Sequence, residues 1–212
     1  MILMNGKTIK AWTGGVPIDD FIASSKKSRS EGDFITHREN GISVDLNTTT
    51  MRAIGKMKAT ISQRFSTPNP SNPTEPIEYD IDCDVRFIMW CIKMPLPTPK
   101  LGSPGHYSPT PGTGLGPRSG SGGWKVQFVK LFYEKDRVVP VDGKNVPTFG
   151  KEELDAFPYG YRHLGAAQAR VGREVRKDLA TLKEDDKFYG MYRAMDGWLN
   201  GRMLGVCWGS KP

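Results

Sequence analysis

The stretch Trp124–Asp142, WKVQFVKLFYEKDRVVPVD, constrains the fold more tightly than any other part of the chain. It is dense in Val, Phe, Leu and Tyr, opens on an aromatic residue and closes on a charged turn with a proline, which predicts a long strand and its exit. Apolar residues alternate at Trp124, Val126 and Phe128, and then the phase slips so that Val129, Leu131 and Tyr133 also read as apolar. A slip of this kind means either a bulge or burial of both faces. The natural partner is Glu78–Lys93, EYDIDCDVRFIMWCIK, whose odd positions Tyr79, Ile81, Cys83, Val85, Phe87, Met89 and Cys91 form an unbroken apolar face. Two such segments separated by a loop predict an antiparallel hairpin, and that hairpin is the expected core.

The remaining segments arrange themselves around it. A short extended segment, KTIKAWT, ends at Gly14-Gly15. Pro17 at a first helical position, Asp19 and Asp20 in the first turn, and Lys26 and Lys27 at the end then predict a short helix matched to its dipole. Gly41–Leu46 alternates with Ile42, Val44 and Leu46 on one side, Asn47–Thr50 supplies a turn, and Arg52–Phe65 reads as a strand with Ala53, Gly55, Met57, Ala59 and Ile61 inward. Thr67–Pro76, with four prolines in ten residues, is a surface loop. In Met94–Gly123, seven Pro and eight Gly among thirty residues predict a flexible insertion at a hairpin tip, so His106 within it is set aside as a catalytic group. Helices are expected at Lys151–Phe157, Tyr159–Val171 and Asp185–Leu199. In the last of these, Phe188, Met191, Tyr192, Met195, Trp198 and Leu199 make one apolar stripe. The expected fold class is α+β: a curved antiparallel sheet with helices, in one domain over residues 1–202 with the 94–123 insertion and a 203–212 tail.

Composition narrows the function classes. No apolar run of about 18 residues exists, so no membrane-spanning helix is expected, and the N-terminus lacks the apolar core of a secretory signal. Cys83 and Cys91 share a strand face about 26 Å apart at roughly 3.3 Å per residue and cannot bridge, which suits a reducing, cytoplasmic setting. No zinc-type spacing occurs, so no metal is expected. The net charge of +7 is spread over Arg52, Lys56, Lys58 and Arg64 on one strand face and over Arg170, Arg173, Arg176 and Lys177. Interleaved acids and the lack of a stacking aromatic stripe predict a solvated surface and no nucleic-acid partner.

The run His37–Phe65, HRENGISVDLNTTTMRAIGKMKATISQRF, resembles the SnoaL-like branch of the nuclear transport factor 2-like superfamily, which includes scytalone dehydratase. The resemblance continues through Val85–Phe87, Trp124–Asp142, FPYGYRHLGAAQ at Phe157–Gln168 and the closing Trp198–Gly201. It implies a cone, in which the curved sheet is closed by helices around an apolar cavity for a small aromatic or polyketide-like metabolite. The implied chemistry is proton abstraction without metal or organic cofactor, in a lyase, isomerase or cyclase. That chemistry needs a base near neutral pH and a donor for the developing oxyanion. His37 matches the family's catalytic histidine. Ser62 stands where the dehydratases place a second histidine, Arg86 or Phe87 stands where they place an asparagine, and the family's N-terminal helices are expected to be missing. The resemblance also implies a homodimer, and these departures make a non-catalytic ligand-binding or dimerising member the alternative.

Further candidates come from the alternation of Asp80, Asp82, Asp84 and Arg86. If their face looks into a cavity, Asp84 could act as a base and Arg86 could hold an oxyanion; otherwise the face is one of solvated charges. The expected catalytic set is therefore His37, Asp84 and Arg86, with Trp12, Ser62, Phe87, Trp90 and Tyr133 toward the substrate. Tyr159, Tyr161 and His163 are expected to pack and hydrogen-bond.

Overall fold

The computed structural model describes residues 8–10, 16–94, 123–182 and 186–204. In chain order these form β1 (Thr8–Lys10), β2 (Val16–Pro17), α1 (Ile18–Ser30), β3 (Ile35–Asn47), β4 (Arg52–Thr67), β5 (Ile77–Lys93) and β6 (Trp124–Pro140). There follow α2 (Lys151–Asp155), a 3-10 turn at Tyr159–Tyr161, α3 (Arg162–Arg170) and α4 (Asp186–Leu199). The sheet order is β2-β1-β6-β5-β4-β3, and its four long strands are antiparallel throughout. The short β1 pairs parallel with β6 and antiparallel with β2. The α+β class and the central hairpin match the expectation. The expected tail and insertion fall largely on residues 205–212 and 95–122, and Trp12, His106 and Cys207 also lie outside the described residues.

The phase slip in β6 resolves into both of its possible causes. Cys91 pairs with Val126 and Trp90 with Phe128, so Gln127 is an extra residue; Val85 pairs with Tyr133 and Asp84 with Lys135, so Glu134 is another. Each bulge moves the following β6 residues to the other side of the sheet. Both sides are also buried. On the side of the odd β5 residues, Ile81, Cys83, Val85, Ala59 and Tyr133 pack under Tyr161, Leu164 and Ala167 from the 3-10 turn and α3. On the opposite side, Ile54, Ile88, Trp90 and Phe132 pack under Met191, Met195 and Trp198 of α4.

The helices thus cover both sides of the sheet, α3 on one and α4 on the other. The stripe predicted on α4 does face the sheet, but on the side away from α3. Its place is fixed by directed bonds: Trp198 Nε1 donates to the Cys91 carbonyl at 3.0 Å, Thr50 Oγ1 donates to the Leu199 carbonyl at 2.8 Å, and the Arg52 guanidinium lies 4.2 Å over the Trp198 ring. The basic face of β4 is accordingly not simply solvated. Arg52 is enclosed by the end of α4, Lys56 pairs with Asp45 at 2.7 Å, and Arg64 makes a two-pronged pair with Asp80.

Two glycines let α3 and the turn before it approach closely. A Cβ on Gly165 would lie 2.5 Å from the Phe157 ring, and one on Gly160 would lie 2.7 Å from the Tyr133 carbonyl oxygen. The backbone at Tyr133 cannot retreat without disturbing its own bond to the Ala180 carbonyl, 3.0 Å away. Gly160→Ala is therefore expected to destabilise the fold by about 1–3 kcal/mol, an overpacking penalty readable from urea denaturation.

Candidate functional site

Strand alternation decides which candidate side chains can meet. His37 pairs with Ile61, and Ile61 with Cys83, so His37 belongs to the side of the odd β5 residues. Asp84 pairs with Thr60 and Arg86 with Lys58, on the other side. Successive side chains in a strand point to opposite faces. His37, Asp84 and Arg86 therefore do not form one catalytic set, contrary to the sequence expectation. The expected substrate residues divide in the same way: Phe87 and Tyr133 lie on the histidine's side, Ser62 and Trp90 on the carboxylates' side.

On the histidine's side, the His37 ring sits 6.2 Å from the Phe87 ring at a 48° tilt. Half-buried Met57, Ile61, Phe87 and Leu131 border the buried cluster beneath α3. His37 remains exposed at the sheet edge, yet the protein around its ring desolvates the imidazole and lowers its pKa from the usual 6.5. A neutral imidazole at neutral pH can accept a proton or a hydrogen bond from a ligand lying against Phe87. Tyr133 takes no part in this surface. It is 5 % exposed, its ring packs 5.2 Å from that of Tyr161, and burial pushes its hydroxyl well above the ordinary range.

The other side carries a connected polar lattice. Asp82, 8 % exposed, accepts hydrogen bonds from Ser62 Oγ, from Arg38 at 3.0 Å and from Arg137 at 3.3 Å. Asn40 donates to Thr60 Oγ1 at 3.0 Å, Thr60 donates to Asp84 at 2.9 Å, and Lys135 approaches Asp84 at 3.5 Å. Arg86 donates to Glu134 and, at 3.4 Å, to the Tyr192 hydroxyl. The acceptors of Asp84 are thus already engaged and Arg86 is neutralised across the sheet, so neither matches the free base and oxyanion donor expected of them. Trp90 lies in the α4 core at 2 % exposure.

Asp136 was not singled out by sequence reasoning. Its carboxylate, 1 % exposed, accepts the backbone N–H of Leu164 at 2.8 Å and lies 2.8 Å from His163 Nδ1. It ties β6 to the first turn of α3, which accords with the packing and hydrogen bonding expected of His163. The alternation of acids on β5 with bases on its neighbours was the readable sign of the polar lattice. Its partners Arg38 and Arg137 follow from register alone. Among the described residues, no group of three or more His, Cys, Asp or Glu is placed to hold a metal ion, and no helix is long and apolar enough to cross a membrane.

Comparison with known proteins adds lineage to this geometry. No family model matches the chain. It is 30% identical over 205 residues to the Pea pathogenicity protein 2 of Fusarium vanettenii, a match covering 92% of this chain and 72% of that protein. A second protein of that fungus, named for its likeness to the first, is 31% identical over 202 residues with the same coverage. An uncharacterized protein of Emericella nidulans is 32% identical over 202 residues, covering 92% of this chain and 73% of its own length.

Two outcomes follow for this surface. Asp136→Ala leaves a buried N–H without its acceptor and is expected to cost about 1–3 kcal/mol, measured by thermal or urea unfolding. Because His37 binds its proton more weakly in the folded state than at the unfolded value of 6.5, its contribution is full above pH 6.5 and declines as pH falls below that value. The stability difference between wild type and His37→Gln should therefore shrink from pH 7 toward pH 5, as read from denaturation series at each pH.

Proposed function

This chain belongs to the family of the Pea pathogenicity protein 2, and we propose that it is a SnoaL-like, nuclear transport factor 2-like domain that binds a small aromatic or polyketide-like molecule without an assembled catalytic set. The observation that carries the reading is the separation of His37 from Asp84 and Arg86 onto opposite faces of the sheet. One face offers Met57, Ile61, Phe87 and Leu131, partly buried and apolar, with one imidazole at the rim. Such a surface suits a flat, apolar ligand that carries a single hydroxyl or carbonyl, with stacking on Phe87 and a hydrogen bond to His37. The opposite face spends its polar groups on one another.

A second reading is favoured by one observation, the lowered pKa of His37. A neutral imidazole beside a bound enolisable ketone is a competent proton acceptor, so a lyase or isomerase that relies on His37 alone, with the hydrogen-bond donor supplied by the ligand, fits the same surface.

Titration with 2-naphthol, followed by ligand fluorescence, tests the binding reading. Saturable binding is expected, weakened at least tenfold by Phe87→Ala and several-fold by His37→Leu, with little change for Asp84→Asn. Equal loss on Asp84→Asn, or no binding by the wild type to a panel of naphthols and hydroxylated quinones, would contradict it. Turnover of an enolisable naphthalenone that disappears in His37→Leu would favour the enzymatic reading.

A further inference from the structure

The edge strand β3 is divided into two unlike halves. Its first half, Ile35–Asn40, carries His37, Arg38 and Glu39 and ends in a register shift between Glu39 and Gly41. Charged side chains and a bulge are the devices by which a sheet edge resists pairing with another chain. Its second half has neither device in effective form. From Gly41 to Asn47 the register with β4 is unbroken, Gly41 facing Lys58 and Asn47 facing Arg52. The single charge there, Asp45, is paired with Lys56 at 2.7 Å. On the other face of this half, Ile42, Val44 and Leu46 are 56%, 61% and 55% exposed.

We propose that Gly41–Asn47 of β3 is the pairing edge for a second copy of this chain, which joins it antiparallel about a two-fold axis through Val44. The segment is self-complementary in that register. Val44 lies at its midpoint, so the axis sets Val44 opposite Val44, Ile42 opposite Leu46, Ser43 opposite Asp45 and Gly41 opposite Asn47. All seven residues find partners, and none extends into the bulge at Asn40 or past the turn at Asn47. The three exposed apolar side chains of each copy meet those of the other on one face. Directly opposed apolar and β-branched residues are the pairs that stabilise antiparallel neighbours. On the other face, each Asp45 meets a serine hydroxyl while Lys56 neutralises it, so no like charges are opposed. A two-fold axis requires one patch to match itself, and this half-strand does so. A centre nearer His37 would force the bulge into the ladder. The inference stands apart from the ligand reading, which uses His37 and Phe87.

Sedimentation velocity on the whole chain at tens of micromolar tests it, with charge placed on the axis. The wild type is expected to sediment at twice the mass of one chain. Val44→Glu and Val44→Lys each set two like charges face to face, and each is expected to sediment as a monomer with an unchanged far-UV circular dichroism spectrum. Mixed in equal amounts, the two variants are expected to recover the dimer, because only a residue that opposes itself is rescued in this way. A monomeric wild type, a persistent dimer in either variant, or two monomeric variants that fail to reassociate on mixing would each overturn the proposal.

Discussion

The alternation of β5 between two unlike faces is the constraint on which the rest of the structure depends. With a period of two, a strand cannot turn Val85 and Asp84 toward the same neighbour. Its odd residues demand an apolar cover and receive α3; its even residues change character along the strand, from Asp80, Asp82 and Asp84 to Ile88 and Trp90, and receive cover only where they become apolar. The sheet is thus roofed by α3 on one side and by α4 on the other. The carboxylates are left to satisfy themselves laterally with Ser62, Thr60, Arg38, Arg64, Arg137 and Lys135. A buried carboxylate without such partners would be costly to leave in place.

Much of this was legible in the residues. The apolar face of β5 and the inward set of β4 follow from strict alternation, and the α4 stripe follows from helical spacing. The slip in β6 pointed to a bulge or to double burial, and both occur, at Gln127 and Glu134 and beneath α4. Periodicity does not state which face a helix joins after a long connection. The stripe of Met191, Met195 and Trp198 was therefore legible as apolar, while the side of the sheet it covers was not. That choice depends on distant groups, such as the Cys91 carbonyl that receives the Trp198 indole N–H.

The candidate site was less legible, for a related reason. His37 lies beyond a bulge in its own strand and is separated from Asp84 by two ladders, so its face follows from the register of β3 on β4 and of β4 on β5. Counting along the sequence cannot supply that register. Once it is known, Ser62 and Trp90 cease to be substrate contacts and become, respectively, a donor to Asp82 and a core residue. Asp136 gains the role of anchoring α3. What remains on the histidine's side is a partly buried apolar surface of Met57, Ile61, Phe87 and Leu131, bordered on the edge strand by His37 and, two residues along on the same face, by Glu39.

The separation of His37 from the carboxylates is the central claim, and nuclear Overhauser contacts from the His37 ring protons test it most directly. The structure predicts cross-peaks to the Phe87 ring and the Ile61 methyl groups, and none to the Thr60 methyl group or the Arg86 side chain. Cross-peaks from the His37 ring to Thr60 or Arg86, without those to Phe87, would place the imidazole on the carboxylates' face and contradict the account.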